Sequence, residues 1–107
     1  MYLHRVPNQL RIALYSHDTQ GLGHIRRNVA IAEALSAGLE QPAILLIAGA
    51  QVAGAFDLPP GTDCLTLPAL GKNPTGQYHA RSLGISLNRL LELRATMIQA
   101  ALTAFAP

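Results

Sequence analysis

Residues 10–48 read LRIALYSHDTQGLGHIRRNVAIAEALSAGLEQPAILLIA, and a change of period inside this stretch decides the fold. Leu10 to Ser16 is a short apolar run set between polar Asn8-Gln9 and the segment His17 to Gly23. Such a run is the pattern of a strand buried on both faces, as in parallel sheets. From His24 to Leu39 the spacing turns helical. Ile25, Val29, Ile31 or Ala32, Leu35 and Leu39 recur at three- to four-residue steps and make an apolar stripe. Gly38 near the end and Pro42 just beyond are stop signals. Ala43 to Ala48 is a second buried strand, closed by Gly49.

Outward from this unit the alternation continues. Gln51 to Phe56 has room for one or two helical turns before Leu58-Pro59-Pro60-Gly61 interrupts the chain. Asp63 to Leu67 alternates weakly and is expected as the third strand, and Ala69 to Ala80, rich in Gly, Pro and Asn, as a loop. Ser82 to Phe105 reads as a long helix with Leu83, Leu87, Leu90, Leu91, Met97, Ile98, Ala101, Leu102 and Phe105 on one face. The order β-α-β-α-β-α predicts an α/β fold, Rossmann-like and three-layered, with a parallel sheet.

Composition narrows the function. Of 107 residues, 50% are apolar and 13% charged, against roughly 25% charged in an average domain. A disordered tail needs the reverse balance. The net charge of +2 comes from 8 Lys+Arg against 6 Asp+Glu, cations too scattered for a basic face, so no nucleic-acid partner is expected. Cys64 is the single cysteine, which rules out an intrachain disulfide or a cysteine-based zinc site and fits a reducing, cytoplasmic compartment. The amino terminus lacks a signal-peptide pattern. The longest apolar run, Ala43 to Ala50, is far below the roughly 20 residues that span a bilayer.

The chemistry concentrates between the first strand and the first helix, in Ser16-His17-Asp18-Thr19-Gln20-Gly21-Leu22-Gly23-His24-Ile25-Arg26-Arg27. Open α/β folds bind ligands at this edge of the sheet. Gly21 and Gly23 allow a tight turn and close approach of a ligand, and the helix opening at His24 offers unpaired N–H groups and a partial positive charge to an anion. Arg26 and Arg27 oppose the usual acidic preference of a first turn, which a bound anion would explain. A plain turn and an arginine-rich composition, seven Arg to one Lys, account for the same residues. A phosphate-binding P-loop would need Gly-Lys-Ser/Thr after the glycines, which is absent. A dinucleotide fingerprint would need Gly or Ala where Arg26 stands and an acid where Gly49-Ala50-Gln51 stands. A second loop on the same edge, Gly71 to Arg81, holds the only Lys together with a Tyr, a His and an Arg, and reads either as a wall or lid of a site or as a solvated connection.

Gly21-Leu22-Gly23-His24, followed by Ile-Arg-Arg-Asn-Val-Ala-Ile-Ala-Glu-Ala-Leu, resembles the amino-terminal loop and helix of GT-B glycosyltransferases of the MurG type, glycosyltransferase family 28. It is also similar to predicted bacterial glycosyltransferases with a Ser-His-Asp-x-x-Gly-x-Gly-His-x-x-Arg-Asn stretch. The likeness covers residues 10–50. It departs from MurG in lacking further glycines before Gly21 and in having Arg26-Arg27-Asn28 after the motif.

The resemblance implies the amino-terminal, acceptor-side part of an enzyme with two facing Rossmann-like domains. That enzyme would transfer a hexosyl or N-acetylhexosaminyl group from a nucleotide-sugar donor to an acceptor, without a metal or other cofactor. His24 would stand at the reaction centre as base or substrate contact, with Asp18, Thr19, Gly21, Leu22, Gly23, Arg26 and Arg27 around substrate or phosphate. A lipid-linked acceptor would add peripheral membrane contact. On this view residues 1–107 are an incomplete amino-terminal domain, the long helix lacks a strand to return to, and the donor-binding carboxyl-terminal domain lies outside the chain. The alternatives are a dinucleotide-binding domain of an oxidoreductase and a non-catalytic α/β partner module.

Overall fold

In a computed structural model the described residues are 9–17, 23–49 and 56–107. Three strands, β1 (Arg11–Ser16), β2 (Ala43–Ala48) and β3 (Thr62–Thr66), form a parallel sheet in the order β1-β2-β3. Ile12 lies opposite Ile44 and Leu14 opposite Leu46, and Leu46 in turn faces Cys64. In a parallel ladder such partners point to the same side, so residue parity assigns the faces. The even-numbered side is the core. Ile44, Leu46 and Ala48 pack with Ile25, Val29 and Ala32 of α1 (Gly23–Ser36), and Ile12, Leu14, Leu35, Phe56 and Cys64 close the cluster. The stripe therefore runs through Ala32, fully buried, and leaves Ile31 39% exposed. The helix ends at Ser36, short of Leu39, which is wholly exposed, because Gly38 turns the chain back with its N–H on Leu35 O.

The third strand begins and ends one residue before the expected Asp63–Leu67. The short helix expected over residues 51–56 falls outside the described residues except for Phe56, which has no regular structure. The expected loop at 69–80 holds a small antiparallel hairpin instead, β4 (Leu70–Lys72) and β5 (Tyr78–Ala80). Its five-residue connection is organised by Asn73, whose Oδ1 accepts from the Thr75 and Gln77 backbone N–H groups and the Thr75 hydroxyl. Gly76 sits at φ +85°, where only glycine is unstrained. Across the hairpin, the His79 imidazole lies so close over Gly71 that a Cβ there would come within 2.6 Å of its ring.

The last helix, α2, spans Leu87–Phe105 rather than starting at Ser82. Ser86 ends the preceding irregular segment with extended backbone and caps the helix, its Oγ accepting from the Arg89 N–H at 3.2 Å. Leu83 therefore lies outside the helix and is 45% exposed. At the other end Ala106 takes a left-handed cap, and its carbonyl accepts from Arg11 Nε at 3.0 Å. This places the helix end beside the start of β1, so α2 runs back along the odd-numbered side of the sheet. Ala13, Tyr15 and Ile47 of the sheet and Ile98 and Leu102 of α2 line an apolar cleft of about 380 Å³ between them. The helix does not seat along its whole apolar stripe: Leu90 and Arg94 are its buried residues, whereas Leu91 and Leu102 stay substantially exposed. The layers are thus helix, parallel sheet, helix. No helix among the described residues is long and apolar enough to cross a membrane.

Candidate functional site

The first turn of α1 and the β4–β5 hairpin both lie at the carboxyl end of the sheet, on opposite faces. On the even-numbered side, Asn28 of α1 donates its Nδ2–H to Tyr15 O at 3.1 Å. This ties the second turn of α1 to the end of β1. The first turn, carrying Gly23, His24, Arg26 and Arg27, therefore projects past the strand ends. His24, Arg26 and Arg27 are exposed and Ile25 between them is fully buried, so the same turn anchors in the core and presents its polar side chains outward. No acidic residue stands in that turn. The side chains of Arg26 and Arg27 form no ion pair or hydrogen bond with the described residues. With no acid in the turn and two guanidinium groups beside it, the end of α1 favours a negatively charged group. Asp18, Thr19, Gly21 and Leu22, expected in the same site, lie outside the described residues.

Ser16 ends β1 on this face. It is 3% exposed, and its Oγ has no hydrogen-bond partner among the described residues.

On the odd-numbered side the hairpin folds against the end of β1. The His17 ring meets the Tyr78 ring edge-on, with centroids 5.9 Å apart, and Lys72 Nζ lies 5.3 Å from the centroid of the same ring. His17 Nδ1 is 3.0 Å from Tyr15 Oη. From α2, Arg94 donates to the carbonyls of Gly49 and Pro68, which follow β2 and β3, and to Tyr15 Oη at 3.4 Å. The hairpin thus brings Lys72 and Tyr78 beside the end of β1, at the carboxyl edge of the sheet. Tyr15 and Arg94 were hidden among apolar neighbours. The signal for Arg94 was its position four residues after Leu90 and four before Ile98, in the middle of the apolar stripe. A charge there has to reach polar groups on the element that the stripe covers.

Cys64 is half-buried beneath α1, and burial pushes its thiol above the ordinary range, with the Asp63 carboxylate adding to the rise and a hydrogen bond with Thr66 opposing it. It packs against the core cluster from the middle of β3. Among the described residues no cluster of three or more His, Cys, Asp or Glu is arranged to hold a metal ion. No protein-family model matches the chain, and neither curated proteins nor solved structures provide a match.

Proposed function

We propose that this chain is an acceptor-side part of a glycosyltransferase that moves a sugar from a nucleotide-sugar donor to an acceptor without a metal. The observation that carries the reading is the first turn of α1. An exposed His24 follows Gly23 at the carboxyl edge of a parallel sheet, with no acid in the turn and Arg26 and Arg27 beside it. The likeness of Gly21-Leu22-Gly23-His24 to the MurG-type loop supplies the reaction class. The core shared by α1 and β2 supports it, since the packing of Ile25 holds the turn in place.

In this reaction His24 takes the proton of the acceptor hydroxyl as the new glycosidic bond forms at the sugar's anomeric carbon. A neutral imidazole suits that step near pH 7. The bond to the donor diphosphate breaks, and the leaving negative charge is met by the helix end and by Arg26 and Arg27. The orphaned Ser16 hydroxyl is available to the bound substrate on the same face. The reaction belongs to the cytoplasm, at the membrane surface where the acceptor is lipid-linked.

The test is His24→Ala in the full-length protein, assayed with a panel of nucleotide sugars. Because His24 is exposed, circular dichroism should remain unchanged while transfer falls by about 10²–10⁴-fold, the usual worth of a general base. Unchanged transfer removes His24 from the mechanism. Saturable NAD(P)H binding, read by cofactor fluorescence, would favour the oxidoreductase alternative.

A further inference from the structure

The odd-numbered side of the sheet carries a polar arrangement that the α1 site does not use. Arg94 is 4% exposed in the middle of α2, and no carboxylate among the described residues pairs with it. Its guanidinium spends its hydrogen bonds on two main-chain carbonyls, Gly49 O and Pro68 O, and on Tyr15 Oη. A buried guanidinium is costly to desolvate, and here it staples the ends of all three strands through neutral acceptors.

Donor and acceptor chemistry then sets a direction. A guanidinium can only donate, so Tyr15 Oη accepts from Arg94, and its own proton remains available to a further neighbour. That neighbour is His17 Nδ1, 3.0 Å away. An Nδ1 that accepts leaves the ring proton of a neutral imidazole on Nε2. With the tyrosine proton directed at Nδ1, the chain Arg94–Tyr15–His17 ends as an outward N–H donor on an exposed ring at the carboxyl edge of the sheet. The Tyr78 ring holds His17 edge-on, and Lys72, the only lysine, lies 5.3 Å from the centroid of that same ring. Among the described residues, the His17 ring N–H and the Lys72 ammonium stand at this end, the second a full positive charge. The complement is an oxygen with negative charge, held by charge-assisted hydrogen bonds.

We propose that His17 and Lys72 form an oxyanion-binding subsite on the β4–β5 hairpin, with Tyr15 and Arg94 as positioning residues that hold His17 as an Nε2–H donor. This subsite lies on the opposite face of the sheet from the N-terminus of α1 and does not rest on the transferase reading. Its ligand class is a phosphate or carboxylate group, alone or as part of a larger molecule.

The experiment uses the full chain labelled with ¹⁵N, with the imidazole nitrogens of His17 followed by long-range ¹H–¹⁵N correlation at mildly alkaline pH. Sodium phosphate and sodium acetate are titrated in separate arms at constant ionic strength, with chloride as the control. The expected result is an Nε2–H tautomer before any addition, then a saturable shift with phosphate or acetate and none with chloride. The tighter of the two oxyanions identifies the phosphoryl or carboxylate class. Lys72→Met, at an exposed position, should weaken binding about tenfold or more while leaving the tautomer unchanged. Tyr15→Phe should turn the ring into a tautomer mixture, a signature that a purely structural role of Tyr15 would not move. An Nδ1–H tautomer in the parent chain, the absence of a saturable shift with either oxyanion, or equal affinity in Lys72→Met overturns the proposal.

Discussion

Ile25 and Ile31 lie on one helix with the same side chain and opposite surroundings, which makes them a matched test of how α1 is seated. Ile25 is fully buried in the cluster with Ile44, Leu46 and Ala48, whereas Ile31 is 39% exposed. Truncation to Ala removes three methylene equivalents. At about 0.8 kcal/mol each, the lost transfer term for Ile25 is about 2.4 kcal/mol. The cavity left between α1 and the sheet adds to this, and the total falls within the range of about 2–5 kcal/mol seen for buried Ile→Ala changes. For Ile31 about half of the transfer term applies, no enclosed cavity forms, and the better helix propensity of Ala returns a few tenths of a kcal/mol, leaving about 1 kcal/mol or less. Urea titration followed by far-UV circular dichroism measures both. Ile25→Ala should lower the midpoint severalfold more than Ile31→Ala at an unchanged m-value. Equal costs, or a larger cost at Ile31, would refute the assigned face of α1 and with it the placement of His24, Arg26 and Arg27 at the sheet edge.

Two further outcomes follow from the geometry. Ser86→Ala removes the oxygen that accepts from the Arg89 N–H and should cost about 1 kcal/mol, read as a lower urea midpoint, whereas Ser82→Ala, outside the helix, should leave the midpoint unchanged. Burial raises the Cys64 thiol above its unfolded value, so the folded state keeps this proton to higher pH than the unfolded chain. Its contribution to stability is therefore present below the unfolded pKa and is lost as pH rises through the folded one. Cys64→Ala should flatten the alkaline decline of the urea midpoint, and a decline as steep as in the parent chain would contradict the assignment.

The sheet and α1 were legible because their signals are long and periodic. An apolar run at residues 10–16, a 3.6-residue stripe and a second apolar run at 43–48 admit little besides two parallel strands and a crossover helix. The hairpin was hidden because each of its strands has three residues. Period-two alternation needs more than that to show, and the Asn, Pro and Gly residues that build its turn also give the whole segment the composition of a loop. The start of α2 was misplaced because Ser82 and Ser86 are equally good caps in sequence. Only the second has an N–H three residues on that meets its hydroxyl.

The carboxyl-edge groups divide in the same way. Local pattern was enough to put Gly23, His24, Arg26 and Arg27 at the start of a helix that follows a strand, because a turn of helix fixes its neighbours through the backbone. The chain Arg94–Tyr15–His17 joins residues 79 apart in sequence between Tyr15 and Arg94, and no local rule connects them. Only packing α2 against the odd-numbered side of the sheet brings the guanidinium to the strand ends, where burial and the want of acceptors select the carbonyls and the tyrosine hydroxyl. The order and kind of the elements came from hydrophobic period alone, a property each segment carries by itself. Which polar groups meet was decided by tertiary contact, since hydrogen-bond partners are set by distance in space and not along the chain.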